Sequence, residues 1–136
     1  MKTTDAAYLA GLIDGEGSIH MARHGNGAVT VNLRIVNCDQ GVLKWAAKML
    51  DGKLYVHPAS KAHWKSGWQV WVGQNALERV LQEILPFMKI KRRQAELALE
   101  LAALPVHTGG RGHPSKTTPA RERICQQITD LNRRGQ

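Results

Sequence analysis

The most informative stretch of the chain is LAGLIDGEG, at residues 9–17. Its residues are apolar or glycine until two acidic residues close it. We predict a short helix over residues 5–15, capped at its start by Thr4 or Asp5 and ended by the glycine-rich run at 15–17. Beyond this run the apolar residues recur with a period of two. The stretch is therefore where a helix delivers two carboxylates to the beginning of a strand.

One face of this helix is predicted to carry no bulk. Ala7, Gly11 and Gly15 are spaced four residues apart, and residues at that spacing lie above one another on a helix. A face of this kind lets a second helix approach until the two backbones are nearly in contact. The leucine and isoleucine side chains point elsewhere, into the core. Because the chain has one copy of this stretch, we expect the partner helix to come from a second copy, in a two-fold homodimer.

The two acids, Asp14 and Glu16, lie at the C-terminal end of the predicted helix. A carboxylate is unfavourable there by about 0.3–1 kcal/mol, because that end of the helix carries partial negative charge. A divalent cation would reverse this cost and could support phosphodiester hydrolysis, and oxygen ligands favour Mg²⁺ over Zn²⁺. The alternative is an ordinary helix end with exposed acids. The residues alone leave both interpretations open.

The rest of the chain alternates hairpins with helices. The predicted elements are a hairpin over 18–35, a helix over 39–50 with Asp39 as N-cap, strands at 54–57 (Leu54 and Val56 inward) and 68–72, a helix over 75–85 capped by Asn75, a break at Pro86, a helix over 89–104, a loop over 105–118 and a last helix from Thr118-Pro119. This order, αββαββα followed by C-terminal helices, predicts an α+β fold. A four-stranded antiparallel sheet would be backed by helices on one face and open to a ligand on the other.

Composition limits the partners and the compartment. Nineteen Lys and Arg against eleven Asp and Glu give a net charge of +8, which favours a polyanion: nucleic acid first, an anionic membrane surface second. No helix pairs a basic face with a bulky apolar one, so we expect no membrane partner. The chain shows no signal peptide, and Cys38 and Cys125 form no CxxC pair. We therefore expect a soluble intracellular protein of one domain, 1–136, with its core at about 5–104 and a C-terminal loop and helix at about 105–134.

Three segments together resemble one protein family. Residues 9–17 closely resemble the LAGLIDADG motif of homing endonucleases, with Gly-Glu-Gly in place of Ala-Asp-Gly. The segment PFMKIKRRQA, at 86–95, is similar to the second signature of these enzymes, and LNRRG, at 131–135, to the C-terminal ending of members with a single motif. The resemblance implies a saddle-shaped sheet in the DNA major groove and a homodimer formed by the motif helices. It also implies cleavage of both strands of a long pseudo-palindromic site with 3′ overhangs, using Mg²⁺ or Mn²⁺ and no small-molecule cofactor.

The resemblance also assigns roles to individual residues. Glu16 corresponds to the metal-binding carboxylate, assisted by the carbonyl of Gly15, and Lys91 to the active-site lysine. Asn37 stands where many relatives place a glutamine that orients a water. Gly41 stands near a position where some relatives have a basic residue, and Asp14 corresponds to a structural position. Without the resemblance, Lys91 could equally be one of four phosphate contacts in the basic run 89–93.

The alternation of the strands predicts which residues face the ligand. The outward set is Ser18, His20, Ala22, His24, Ala28, Thr30, Asn32, Arg34, Tyr55, His57, Gln69 and Trp71. The resemblance makes all of these except the two alanines contacts to DNA, together with Lys89. Arg suits guanine, Asn and Gln suit adenine, and Thr suits either. Lys61, His63 and Lys65 are expected to contact phosphates from the loop between the second pair of strands.

Two other functions fit the same resemblance. The first is an RNA-binding maturase that assists intron splicing, and the second is a DNA-binding regulator that does not cleave. Retention of the motif acid Glu16 favours the nuclease over the maturase, and a plasmid cleavage assay with Mg²⁺ would distinguish the nuclease from both alternatives.

Overall fold

The computed structural model describes residues 1–24, 28–57, 67–104 and 119–134. The elements are α1 (Thr3–Glu16), β1 (Gly17–Arg23), β2 (Val29–Asn37), α2 (Gln40–Leu50), β3 (Lys53–His57), β4 (Gly67–Val72), α3 (Gln74–Ile84), a 3-10 turn (Leu85–Phe87), α4 (Arg92–Ala103) and α5 (Pro119–Arg134). The predicted loop contacts Lys61, His63 and Lys65 lie outside the described residues.

The four strands form one antiparallel sheet in the order β1-β2-β4-β3. The register runs from Gly17 opposite Ile35 to Arg23 opposite Val29 between β1 and β2. This arrangement confirms the predicted α+β fold with a four-stranded antiparallel sheet. Because β2 and β4 lie in the centre, their outward side chains occupy the middle of the open face.

One face of the sheet lies against the helices and forms the core. Seven side chains of this face are at most 2% exposed: Ile19, Val29, Val31, Leu33, Ile35, Val70 and Val72. From the helices, the fully buried residues packed against them include Leu9, Ile13, Leu43, Leu77 and Leu97. The opposite face carries the polar residues that the alternation predicted, so the strand register agrees with the period of two.

Two predicted helix caps are wrong. α1 begins at Thr3, because the backbone N–H of Ala6 donates to the carbonyl of Lys2 (2.9 Å) and closes the first turn without a side-chain cap. α3 begins at Gln74, not after Asn75, and the preceding Gly73 is its N-cap. The predicted cap Asp39 is confirmed, since its carboxylate accepts the N–H of Val42 at 2.9 Å.

The predicted start of the fourth helix at residue 89 is also wrong, because α4 begins at Arg92. The backbone N–H groups of Lys89 and Lys91 donate to the carboxylate of Asp14 at the end of α1. Residues 88–91 are therefore a connecting segment held against α1, and α4 begins after them. Pro86 lies in the 3-10 turn just before this segment.

The prediction that Val56 points into the core is wrong, since 57% of its side chain is exposed. It lies opposite Trp68 on the core side of the sheet. However, β3 is an edge strand, and the helices do not cover its far end.

α5 is fixed by a buried arginine. Arg121 is 4% exposed, and its guanidinium donates to the carbonyl of Val29 at 2.8 Å and to that of Leu101 at 3.2 Å. It therefore joins the C-terminal helix to β2 and to the end of α4. Across the described ranges, no helix combines the length and apolar character that crossing a bilayer requires.

Candidate functional site

The Asp14 carboxylate joins two parts of the chain that are far apart in sequence. It is 9% exposed. One oxygen accepts the backbone N–H of Lys89 at 2.8 Å, and the other accepts that of Lys91 at 2.9 Å. This agrees with the structural role expected for Asp14. The arrangement brings the segment 88–91 directly beside the C-terminus of α1.

The Lys91 side chain lies on the end of α1. Its Nζ donates to the carbonyl oxygens of Asp14 at 2.7 Å and Ile13 at 3.3 Å, where a cation is favoured by the helix dipole. Burial lowers the pKa of Lys91, and the Asp14 and Glu16 carboxylates act in the opposite direction. The ammonium group is therefore held beside the motif acids in a partly desolvated position.

The other members of the basic run have different surroundings. Arg92 and Arg93 both pair with Glu96 on the exposed surface of α4, at 3.2 and 3.3 Å, and Lys89 is exposed. The basic run is therefore not one uniform face.

Glu16 is the exposed last residue of α1. The following residue must be glycine, because a Cβ on Gly17 would lie 2.8 Å from the carbonyl oxygen of Ile13. Since Lys91 already bonds to the carbonyls of Ile13 and Asp14, the next carbonyl along the helix is that of Gly15. The Glu16 carboxylate and the Gly15 carbonyl are therefore the candidate oxygen ligands at this helix end.

Within the described ranges, no three His, Cys, Asp or Glu side chains lie together as a complete metal site. The chemistry of the two oxygens fits a hard cation such as Mg²⁺, which keeps several waters and uses few protein carboxylates. Further ligands would have to come from beyond the described residues or from bound molecules.

Asn37 ends β2 close to this helix end, two residues beyond Ile35, which pairs with Gly17. Its Oδ1 accepts the backbone N–H of Asp39 at 2.8 Å, so the amide is fixed in the turn that leads to α2. Gly41 lies in the first turn of α2, where a Cβ would be 3.2 Å from Asp39 Oδ1.

The outward side chains of the sheet form rows across the strands. One row crosses all four strands and comprises Ser18, Arg34, Trp71 and Lys53. Beside it, His20 pairs with Asn32 and Ala22 with Thr30, while Tyr55, Gln69 and Val36 form a further row. His24 follows β1, exposed, and bonds to Thr30 Oγ1 at 2.9 Å. Tyr55 is 46% exposed, and His57 ends the edge strand.

Sequence reasoning missed Lys53 and Val36 on this face. The predicted strand begins at residue 54, but Lys53 is the first residue of β3 and lies opposite Trp71. The signal was available, since Lys53 keeps the same parity as Tyr55 and His57. Val36 has the parity of Arg34, but it lies beyond residue 35, where the predicted hairpin ends.

Trp71 contacts two charged or titratable neighbours in the middle of the face. The Arg34 Cζ lies over its ring, 5.8 Å from the centroid, and the His20 ring centroid is 6.4 Å away at an interplanar angle of 44°. Burial lowers the pKa of His20, and the Arg34 charge lowers it further. Both effects favour the neutral form of His20.

The bulk-free face of α1 is exposed in the single chain. Ala7, Gly11 and Gly15 are all exposed, and a Cβ on Gly11 or Gly15 would meet nothing within 4 Å. Tyr8 on the same side is 56% exposed and packs edge-on against Trp45 of α2, with ring centroids 5.3 Å apart.

No protein-family model matches the sequence, and no curated protein matches it. Solved structures do match. The chain is similar to the homing endonuclease I-CvuI in complex with its target in the presence of 2 mM Ca, with a TM-score of 0.60, 21% identity and coverage of 96% of each chain. Another structure of I-CvuI, with the I-CreI target uncleaved in the presence of 2 mM Mg, has a TM-score of 0.59, 18% identity and coverage of 97% of this chain and 80% of that one.

A further similarity is to the LAGLIDADG meganuclease I-AabMI bound to uncleaved DNA. It has a TM-score of 0.56 and 24% identity, and covers 71% of this chain and 35% of that one. These likenesses concern the fold, and they agree with the architecture that the sequence predicted.

Asp14→Asn tests whether the two hydrogen bonds to the Asp14 carboxylate stabilise the fold. Asp14→Asn places an amide donor against one of two backbone N–H groups, so the free energy of unfolding should fall by roughly 2–4 kcal/mol. Asp51→Asn is the matched control, because Asp51 is left-handed (φ 53°), a conformation that Asn tolerates, and its ion pair with Arg79 is exposed. The control should change stability by no more than about 0.5 kcal/mol. Urea unfolding measures both, and equal effects would contradict the anchoring role of Asp14.

Proposed function

We propose that this chain, which has the fold of the LAGLIDADG homing endonucleases, is a site-specific endonuclease. It acts as a homodimer on a long pseudo-palindromic duplex and cuts both strands, leaving 3′ overhangs. One observation carries the proposal. An exposed glutamate ends α1 beside the Lys91 ammonium group, which bonds to the Asp14 carbonyl at 2.7 Å, and the polar face of the sheet begins at the next residues.

The metal is proposed to bind where α1 ends. Glu16 Oε and the Gly15 carbonyl would hold Mg²⁺, with Mn²⁺ as a substitute, and the scissile phosphates, water and the second copy would complete the ligands. Bound there, the ion would stabilise charge on the phosphoryl oxygens and activate a water. The solved complexes of I-CvuI in Mg or Ca support a divalent ion.

Lys91 and Asn37 are proposed to assist the reaction. The Lys91 ammonium would stabilise the negative charge that develops on the phosphate, while its bonds to the α1 carbonyls fix its position. The Asn37 amide, oriented by the N–H of Asp39, would hold a water through its Nδ2. A side chain shorter than glutamine can do this only if the water lies close to the end of β2.

The open face of the sheet is proposed to lie in the DNA major groove. Its rows of polar side chains provide donors and acceptors for base edges, and two copies together carry +16, twice the +8 of one chain. The residues proposed to contact DNA from this face are Ser18, His20, His24, Thr30, Asn32, Arg34, Tyr55, His57, Gln69 and Trp71, and Lys89 is proposed to contact a phosphate.

The homodimer is proposed to form through the exposed face of α1. The open space beside Gly11 and Gly15 permits a second helix to approach closely. A two-fold axis there would place the two Glu16 residues near each other, so that each strand of the duplex meets one reactive centre.

Glu16→Gln tests the metal-binding role. The substitution removes one negative charge but keeps the size of the side chain, so cleavage in Mg²⁺ should fall by at least roughly a hundredfold while DNA binding is retained. Glu83→Gln is the matched control, since Glu83 is an exposed glutamate of α3 that pairs with the N-terminus. Plasmid nicking and gel-shift titration give the two readouts. Cleavage by Glu16→Gln at the rate of the control would exclude Glu16 from the reaction.

Gly11→Leu tests the interface. A single chain has room for the side chain, and leucine favours helix over glycine by about 0.5–1 kcal/mol, so the variant should fold. Sedimentation should then give a dimer for the wild type and a monomer for the variant. Gly73→Ala, also free of contacts within 4 Å but outside α1, should remain dimeric. A wild type that is monomeric both free and on DNA, or a Gly11→Leu dimer, contradicts the interface.

A further inference from the structure

The centre of the open face contains one arginine in an unusual environment. Arg34 of β2 lies opposite Trp71 of β4, and its guanidinium is stacked over the indole at 5.8 Å. Its Nε is buried and has no hydrogen-bond partner. A buried donor without an acceptor is unfavourable, and the cation–π contact with Trp71 offsets part of this cost. The indole therefore holds the guanidinium in place of hydrogen bonds.

The burial of Nε limits how Arg34 can bind a ligand. An arginine can present either the Nε–Nη edge or the Nη1–Nη2 end to a pair of acceptors. With Nε covered and the residue as a whole only partly buried, the end is the available fork. Two parallel N–H donors match the O6 and N7 acceptors of guanine in the major groove.

The position of Arg34 favours a base over a phosphate. β2 is a central strand, and Arg34 lies in the row that crosses all four strands. Phosphates run along the edges of a groove, whereas the middle of a sheet lying in the groove meets base edges. The ring of His20 on β1 also lies near this indole, with ring centroids 6.4 Å apart.

We propose that Trp71 is a positioning residue that holds the Arg34 guanidinium end-on for bidentate reading of a guanine, at one fixed position of each half-site. The inference rests on the proposed function. It adds one base of the target to that function, and a role for Trp71 that is exerted through Arg34. Trp71 does not read a base of its own.

The first experiment uses the free protein and needs no DNA. In ¹⁵N-labelled protein, the Nε–Hε signal of Arg34, assigned by its absence in Arg34→Lys, should exchange slowly with water because Nε is covered. Trp71→Ala should speed this exchange by about tenfold or more, and Trp71→Phe should restore most of the protection. Tyr55→Ala, which removes an exposed aromatic residue from the same face, should leave it unchanged. Unchanged exchange in Trp71→Ala would overturn the positioning role.

The second experiment measures binding to a randomised duplex library. Arg34→Ala should reduce the preference for guanine at one position per half-site by roughly five- to a hundredfold. Trp71→Ala should relax the same position by about three- to tenfold, Trp71→Phe should restore it, and Trp71→Ala should add nothing to Arg34→Ala. Lys44→Ala, which removes one charge from the exposed side of α2, should relax no position.

The outcomes separate the two proposals. Relaxation of a different position by Trp71→Ala, or an equal loss on all sequences, overturns the inference while leaving the endonuclease proposal standing. A wild type that binds no duplex overturns the proposed function and the reading of guanine with it, and the exchange measurement still tests the stack.

Discussion

The structure depends on one buried carboxylate. Asp14 accepts two backbone N–H groups, 75 and 77 residues further along the chain, and so fixes the segment 88–91 against the end of α1. This contact sets the point at which α4 begins. It also holds the Lys91 side chain within hydrogen-bond distance of the α1 carbonyls. Asp14 accepts backbone N–H groups, whereas Glu16, two residues later, is exposed to solvent. The two carboxylates therefore have different environments.

The same helix end also fixes the proposed metal ligand relative to the open face of the sheet. Glu16 ends α1 and Gly17 begins β1 with no intervening loop. This direct transition requires glycine at position 17, because only glycine fits against the Ile13 carbonyl. Ser18, the first outward side chain, therefore lies two residues from the proposed metal ligand. If the sheet binds DNA in one register, Glu16 lies at a fixed distance from the base pairs that the sheet contacts.

Much of the fold could be predicted from local pattern. The period of two in residues 29–35 identified a strand with one buried face, and the spacing of apolar residues identified α2 and α3. What the sequence could not provide was contact between distant segments. The predicted start of α4 was wrong because Asp14 holds Lys89 and Lys91 against the end of α1. Val56 was misplaced because its edge position depends on the strand order. The contact of Arg34 with Trp71 depends on the β2–β4 register, which no local pattern specifies.

For the candidate site, the motif at 9–17 pointed to Glu16 and the second signature to Lys91, while the structure gave their surroundings. Sequence alone left Lys91 as one of several cations in a basic run, and its bonds to Ile13 and Asp14 distinguish it from Arg92 and Arg93. The outward set followed from the alternation of the strands, but Lys53 was missed because the predicted strand began one residue late.

The central claim is that the end of α1 makes this chain a metal-dependent nuclease. The most direct test is to incubate the wild-type protein with a randomised duplex library and sequence the new ends, in Mg²⁺ and in EDTA. The account predicts double-strand breaks at one discrete, pseudo-palindromic family of sites in Mg²⁺ and none in EDTA. Library members that are bound but intact in Mg²⁺, or breaks that persist in EDTA, would contradict it.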